Sequence, residues 1–402
     1  MKRSLACVFL LGMAAVSPAA EPDLSAALLG GKPKLNLRMR IEEVRDDTLA
    51  RTASAPTFRA RFNYETLSWH HGSLLLEVDH LGTWGGEAYN STRNGRTDRP
   101  QVPDPRATDL NQLALKITTP KDDWVLGRQR IALDNHRLIG GSAWRQNEQT
   151  FDALTVRTRR LTRTVLSYSY LDNVNRVFGP DAGNPPPDLH LQGHLLGALF
   201  DLKKAGKLSV FGQSLDIRTT PALAHQNVGF LWTGSYAANK TWSIPWALSA
   251  VQQQDAGRNA TDYSADYYKL ELGAMRKEFG VRVGLEVLGG DATRTEHRFQ
   301  TPLATLHPFQ GWADKFLTTP PQGVKDFYVD LSGHRWGLDA AVVWHDFSAE
   351  ATSQRYGDEW DMSVSHKFSP HFELLLKAAN YRSAGFGRDT RKLWVQFSAD
   401  YP

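Results

Sequence analysis

The amino-acid sequence predicts an all-β fold, a transmembrane antiparallel β-barrel of about 18 strands (16–18) with short periplasmic turns and long extracellular loops. Three observations predict it. Apolar and polar residues alternate strictly in short segments from residue 34 onward. The connections between those segments are alternately short and long. No later segment approaches the ~18 consecutive apolar residues of a membrane-spanning helix.

The first segment shows the logic. Leu35, Leu37, Met39 and Ile41 alternate with Asn36, Arg38, Arg40 and Glu42. Successive side chains on a strand point to opposite faces, so this strand has one greasy face and one charged face. A barrel in lipid requires that arrangement, with hydrocarbon outside, water inside and no open sheet edge. The mean hydropathy of −0.43 fits, because a polar lumen and polar loops dilute the lipid-facing residues. The 12 Trp and 12 Tyr suit interfacial girdles.

Taken in order, strand 34–44 is followed by the long connection 45–56 and strand 57–69, then by the tight His70-His71-Gly72 and strand 73–81. The long 82–109 leads to 110–118, the short Thr119 to Asp123 to 124–130, the long 131–149 to 150–158, and Arg159 to Thr162 to 163–170. The same rhythm gives 171–188 before 189–202, Lys203 to Gly206 before 207–217, 218–226 before 227–237, and Ala238 to Lys240 before 241–252. It continues with 253–263 before 264–276, Lys277 to Gly280 before 281–288, 289–323 before 324–331, and Ser332 to Arg335 before 336–347. Finally 348–357 precedes 358–366, Lys367 to His371 precedes 372–381, and 382–390 precedes 391–400. An even strand count places both ends of the sheet in the periplasm. Aromatics recur on one strand face, as in Trp242, Ile244, Trp246 and Leu248, and in Trp336, Leu338, Ala340, Val342 and Trp344. A soluble propeller, the rival fold, would repeat a motif every ~40–50 residues, and no such repeat is present.

Residues 1–20 read as a signal peptide. Lys2 and Arg3 precede the apolar run Leu5 to Val16, and Ser17-Pro18-Ala19-Ala20 supplies small residues for cleavage. Residues 21–402 then form a single barrel domain. The one cysteine, Cys7, falls inside the signal, which excludes disulfides, thiolate metal sites and a cysteine nucleophile from the mature chain. The 47 Lys and Arg against 43 Asp and Glu leave a nearly neutral protein once Lys2 and Arg3 are removed, and net charge names no partner. The expected location is the bacterial outer membrane, reached by export across the inner membrane. The expected surroundings are outer-membrane lipid, lipopolysaccharide and the barrel assembly machinery, for which Tyr401 supplies an aromatic one residue before Pro402. A periplasmic export complex is a candidate partner. Nucleic acid is not.

Two stretches are less generic than alternation. Gly127-Arg128-Gln129-Arg130 leads into a long connection with Asp134-Asn135-His136-Arg137, Gly140-Gly141 and Trp144-Arg145-Gln146-Asn147, ending at Gln149-Thr150-Phe151-Asp152. The second runs His307-Pro308-Phe309-Gln310-Gly311-Trp312-Ala313-Asp314-Lys315-Phe316, then Thr318-Thr319-Pro320-Pro321-Gln322-Gly323. Together they resemble the alginate export family of Gram-negative outer-membrane porins. The resemblance implies an 18-stranded monomeric barrel, with export of a polyuronate through an arginine-rich constriction.

The residues themselves support a charged pore. Arg38, Arg40, Arg59 and Arg61 lie on the polar faces of the first two strands and can form a lumenal ladder, while Arg128, Arg130, Arg137 and Arg145 cluster in and beside the connection 131–149. Rings of arginine attract anions, and the guanidinium forks onto carboxylates. Passive passage of hydrophilic, anionic, polyuronate-like solutes is therefore expected, with 131–149 folded inward. Alternatives are an uptake porin for other small organic molecules and a plugged barrel acting as receptor or secretion partner. The structural reading of each arginine is pairing with a lumenal acid such as Glu42, Glu65, Glu77, Asp79, Asp134, Glu148 or Asp152. In the second stretch, Phe309, Trp312 and Phe316, like Trp144 in the first, can anchor a loop by packing, Trp312 can alternatively stack on a sugar, and Asp314 can pair with Lys315.

No catalytic, metal or cofactor site is expected. His190 and His194, four apart on one strand, are ~13 Å apart, too far to share an ion. Asp181, Asp188, Asp291 and Glu296 lack the spacing of a calcium loop. No phosphate loop, dinucleotide fingerprint or outward-facing Ser–His pair is present, so no enzyme is expected.

Overall fold

The computed structural model describes residues 22–402, so the segment read as a signal peptide lies outside the described residues. Eighteen antiparallel strands close into one barrel, each paired with its chain neighbours and the first with the last. They are β1 (Lys32–Asp46), β2 (Ala53–Glu65), β3 (Gly72–Thr83), β4 (Ala107–Thr118), β5 (Asp122–Gln129), β6 (Thr150–Thr158), β7 (Thr164–Asn175), β8 (Asp188–Asp201) and β9 (Lys207–Ile217). The second half is β10 (His225–Ala237), β11 (Trp242–Asp255), β12 (Ser264–Arg276), β13 (Phe279–Leu288), β14 (Val324–Arg335), β15 (Leu338–Ser348), β16 (Arg355–Lys367), β17 (Phe372–Ser383) and β18 (Thr390–Tyr401).

Every expected strand is present, and the differences lie at the ends. β2 ends at Glu65, not 69, because Trp69 and Gly72 close a tight turn on each other with His70 and His71 at positive φ. Trp336 does not lie on a strand face. β14 runs on to Arg335, and Trp336–Gly337 form a two-residue turn with φ of 55° and 75°. Two positive φ values give the twist that matches flanking strands. A short helix, α1 (Leu24–Leu29), was not expected. It is capped by Asp23 and rests on the β2–β3 turn, where Leu67 N–H donates to Ala27 O (3.0 Å).

The alternation sorts the side chains as lipid demands. Leu35, Leu37, Met39 and Ile41 point out and are exposed, while Arg40 and Glu42 between them are buried inside the barrel. An apolar belt of this kind costs roughly 25 cal/mol per Å2 in water and nothing in hydrocarbon. The molecule is a bacterial outer-membrane barrel, with its short turns periplasmic and its long loops extracellular.

The extracellular half of the lumen is not simply polar. Leu189, Leu191 and Leu195 of β8 and Leu215 and Ile217 of β9 face inward and pack on Ile131, Ile139 and Leu303. Phe347, Tyr381 and Trp394 pack on Phe299, Ala313 and Phe316, and Val44, Ala53 and Ala55 on Tyr89 and Val102. These cores are the seats of three loops, 84–106, 130–149 and 289–323, that fold down into the barrel.

Candidate functional site

The site is the narrow part of the lumen between β1/β2 and the two inward loops 130–149 and 289–323. The loops reach it as a unit. Gly140 N–H donates to Leu303 O (2.9 Å), Thr305 N–H to His136 O (2.9 Å), and Gln149 Nε2 to Leu303 O (3.0 Å).

Antiparallel pairing of β1 and β2 sets Arg38 opposite Arg59, and Asn36 opposite Arg61. With Arg40 one pleat higher, these arginines form a column along one wall. Arg38 Nη1 donates to the carbonyl oxygens of Ala143 (3.2 Å), Trp144 (3.4 Å) and Arg145 (3.3 Å). Arg40 Nη2 donates to Trp144 O (2.6 Å), and Arg59 Nη1 to Gln146 O (3.4 Å). The expected inward course of 131–149 is thus seen, and the ladder grips its backbone.

The four arginines of the loop region do not form one cluster. Arg128 pairs with Asp152 (2.8 Å). Arg130 pairs with Glu77 and Glu148, which it shares with Arg61. Arg137 reaches β13 on the far wall, where Nε donates to Glu286 (2.9 Å) and the guanidinium lies 4.8 Å from the Phe309 ring. Arg145 returns to β1, with Glu42 at 3.1 Å and Asp104 at 3.6 Å. Most arginines therefore do pair with acids. Arg38 and Arg59 have no carboxylate within 4 Å among the described residues, and Arg59 instead donates to Asn36 Oδ1 (2.5 Å).

The second stretch is pinned by its backbone. The N–H groups of Trp312 and Ala313 donate to Asp361 (2.9 Å) and Glu359 (2.6 Å), two inward carboxylates of β16. Gly311 makes this approach possible. Its φ is 77°, and a Cβ there would lie 2.4 Å from Glu359 Oε2. Gly311→Ala is expected to lower barrel stability by about 1–3 kcal/mol, read as an earlier thermal unfolding transition. Phe316 packs among Phe347, Tyr356, Tyr381 and Phe386, as a loop anchor should. Asp314 does not pair with Lys315. Lys315 goes to Asp46 (3.0 Å), and Asp314 to Lys392 (2.5 Å) and Arg145 (3.6 Å).

Where the two loops meet, Lys377 of β17 enters an aromatic cage. Its Nζ lies 3.6 Å from the Trp312 ring centroid, 4.3 Å from Trp144 and 5.4 Å from Trp394. It also lies 2.7 Å from His307 Nε2. Ammonium only donates, so Nε2 accepts and the His307 proton sits on Nδ1, donated to Asp314 Oδ1 (2.8 Å). Burial and then the Lys377 charge push the His307 pKa down to about 3. Burial opposes the charged form of Asp314, but Lys392, His307 and Arg145 together outweigh it and hold the carboxyl well below the usual range. The Trp312 face, expected either to pack or to hold a sugar, is occupied by Lys377.

Two vestibules flank segment 143–146. The outer, of about 410 Å3, has an apolar side that includes Leu49, Phe178, Leu306 and Leu317, and a charged side with Arg145, Lys315, Lys392, Asp46 and Asp314. The inner, of about 650 Å3, opens to the periplasm beside Asn36, Arg61, Glu77, Gln112 and Arg130. Asp104, Lys377, Lys392, Glu359, Asp361 and Glu286 escaped the sequence reading, and His307 was quoted only as part of its stretch. For the strand residues the signal was available: they occupy the polar positions of alternating segments. Among the described residues, no group of three or more His, Cys, Asp or Glu could hold a metal ion.

Fold and site together define a porin-type barrel with a loop-lined constriction. The chain is similar in fold to solved structures of that architecture. It superposes on OccAB2 of Acinetobacter baumannii with a TM-score of 0.72 at 14% identity, covering 94% of this chain and 99% of that one. Against OpdK of Pseudomonas aeruginosa, solved with vanillate, the TM-score is 0.70 at 15% identity, over 93% of this chain and 99% of that one. Against OccK9 (OpdG) of the same organism it is 0.71 at 14%, over 94% and 99%. No protein-family model matches the chain, and no curated protein matches it. The resemblance to the alginate export family is therefore overturned: the structural neighbours are Occ and Opd barrels. The physical reason is that both stretches are loop-pinning devices. Gly, Trp and Arg at such spacings serve any loop that must be fastened inside a charged lumen.

Proposed function

We propose that the barrel is a passive uptake channel for small organic carboxylates with an apolar body. The observation that carries this is the arginine column, which stands on β1 and β2 between the residues that line the two vestibules and in which Arg38 and Arg59 carry no carboxylate partner. An anion moving past segment 143–146 meets fixed positive charge at each step, in a low-dielectric wall that strengthens the attraction. The apolar side of the outer vestibule suits a ring or short aliphatic body, and vestibules of 410 and 650 Å3 fall in the size range of small-molecule sites. OpdK, a fold neighbour solved with vanillate, supports the class of solute. Transport, not catalysis, is the activity assigned, and one chain is the functional unit because its sheet closes on itself.

The test is electrophysiology and solute influx with purified protein in planar bilayers and liposomes. Anion-selective current is expected, with vanillate entering faster than neutral vanillyl alcohol. Cation-selective current, or equal influx of the two, would overturn the proposal.

A further inference from the structure

The periplasmic rim carries an uneven charge that transport does not use. Four consecutive short turns, from β4 to β11, hold Lys121, then Arg159, Arg160 and Arg163, then Lys203 and Lys204, then Lys240. None of these turns contains an acidic residue. All seven cations are exposed. The three arginines are answered from strand ends: Arg159 by Asp123 (2.6 Å), Arg160 by Asp122 (2.5 Å) and Arg163 by Asp201 (3.5 Å). Lys121, Lys203, Lys204 and Lys240 have no ion pair among the described residues. The long loops at the opposite end interleave both signs, as Arg51 with Asp98 and Arg294 with Asp291 show.

The depth of this arc says what it meets. Immediately above the turns, on the lipid side, stand Trp124, Trp232, Tyr236 and Trp242. The Trp232 indole N–H donates to Ala205 O (2.7 Å), which ties the aromatic girdle to the turn that carries Lys203 and Lys204. Farther round the rim, the Arg335 guanidinium lies 4.5 Å from the ring of Trp336, which is 81% exposed. Trp and Tyr girdles mark the membrane–water interface. Turns of three to five residues cannot carry a lysine far beyond it. The ammonium groups therefore sit at headgroup level, where an exposed lysine snorkels toward phosphate.

We propose that this arc is a binding surface for anionic phospholipid headgroups of the periplasmic leaflet. Phosphodiesters of phosphatidylglycerol type, without a compensating amine, are the ligand chemistry. Each lysine beside an anionic lipid surface is worth a factor of about five in local enrichment. The unpaired four, clustered on one side, should hold a persistent lipid shell there.

The test compares wild type with a variant carrying Lys121→Gln, Lys203→Gln, Lys204→Gln and Lys240→Gln. Both are placed in nanodiscs of phosphatidylethanolamine with a minor share of phosphatidylglycerol. Bound lipid is read by native mass spectrometry, and heat-dependent gel mobility verifies that each barrel is folded. Expected is several-fold enrichment of phosphatidylglycerol on the wild type, largely lost in the variant. Equal lipid composition around the two folded barrels would overturn the proposal. So would isolated peptidoglycan that sediments with wild type but not with the variant while lipid composition is unchanged. Channel selectivity should not move, which separates this result from the transport reading.

Discussion

Replacing Arg38 and Arg59 together by glutamine is expected to abolish most anion preference of the pore and to raise its conductance. Two effects act in one direction. The first is electrostatic: these are the members of the column without an acidic partner, so their charge is the part left over to act on a passing solute. Arg61, Arg128, Arg130, Arg137 and Arg145 are largely answered by Glu77, Asp79, Glu148, Asp152, Glu286, Glu42 and Asp104. The second is mechanical. Arg38 and Arg59 donate to four consecutive carbonyls, those of Ala143 through Gln146. Each hydrogen bond to a charged group is worth about 1.5–3 kcal/mol, so losing them frees the segment that separates the vestibules. The measurement is reversal potential and single-channel conductance. Arg128→Ala is the contrast. It removes a paired charge remote from the segment, and a smaller change in selectivity is expected. An anion preference unchanged by the double substitution would place the pathway elsewhere in the lumen.

The strand order, the closure and the lipid face were legible because each rests on a period of two, which eighteen segments repeat independently. The arginine ladder was legible for the same reason: inward positions on adjacent strands must be neighbours. Long-range pairing was not. Arg137 and Arg145 lie in the same loop, yet one crosses to Glu286 on β13 and the other to Glu42 on β1. Loop conformation fixes that, and no local pattern encodes it. The inward apolar residues of β8 and β9 were hidden too. Their alternation is as regular as that of β1, but its sense is inverted, because the partner is a folded loop and not water. The same inversion explains why the second stretch misled. Its Trp312 could pack or stack on a sugar and its Asp314 could pair with Lys315, and the structure spends them on Lys377, His307 and Lys392.

Asp314→Asn is expected to have the largest single-residue effect on stability. The carboxylate accepts from His307 and Lys392 and faces Arg145, all inside the lumen. Arg145 keeps Glu42 and Asp104 when Asp314 is neutralised, so the loss falls on Lys392 and on the orientation of His307. Removing one partner of a buried ion pair costs about 3–5 kcal/mol, because the other charge is left uncompensated. The same unit makes the constriction sensitive to acid. The His307 pKa is about 3 in the folded barrel against ~6.5 for a free imidazole, so the unfolded chain binds the extra proton between those limits. Its contribution is complete above pH ~6.5 and falls by up to about 1.4 kcal/mol per unit as pH drops toward 3. Asp314, held low, contributes fully above pH ~4 and loses its contribution below that value. Both act in the same sense, His307 alone above pH ~4 and both together just below it. In His307→Asn the decline in unfolding temperature between pH 6.5 and 4.5 should flatten, while the steeper loss below pH 4 persists. In Asp314→Asn the low-pH loss should shrink instead. Identical pH profiles for wild type and His307→Asn would show that the imidazole is not the group that couples the loops to acid.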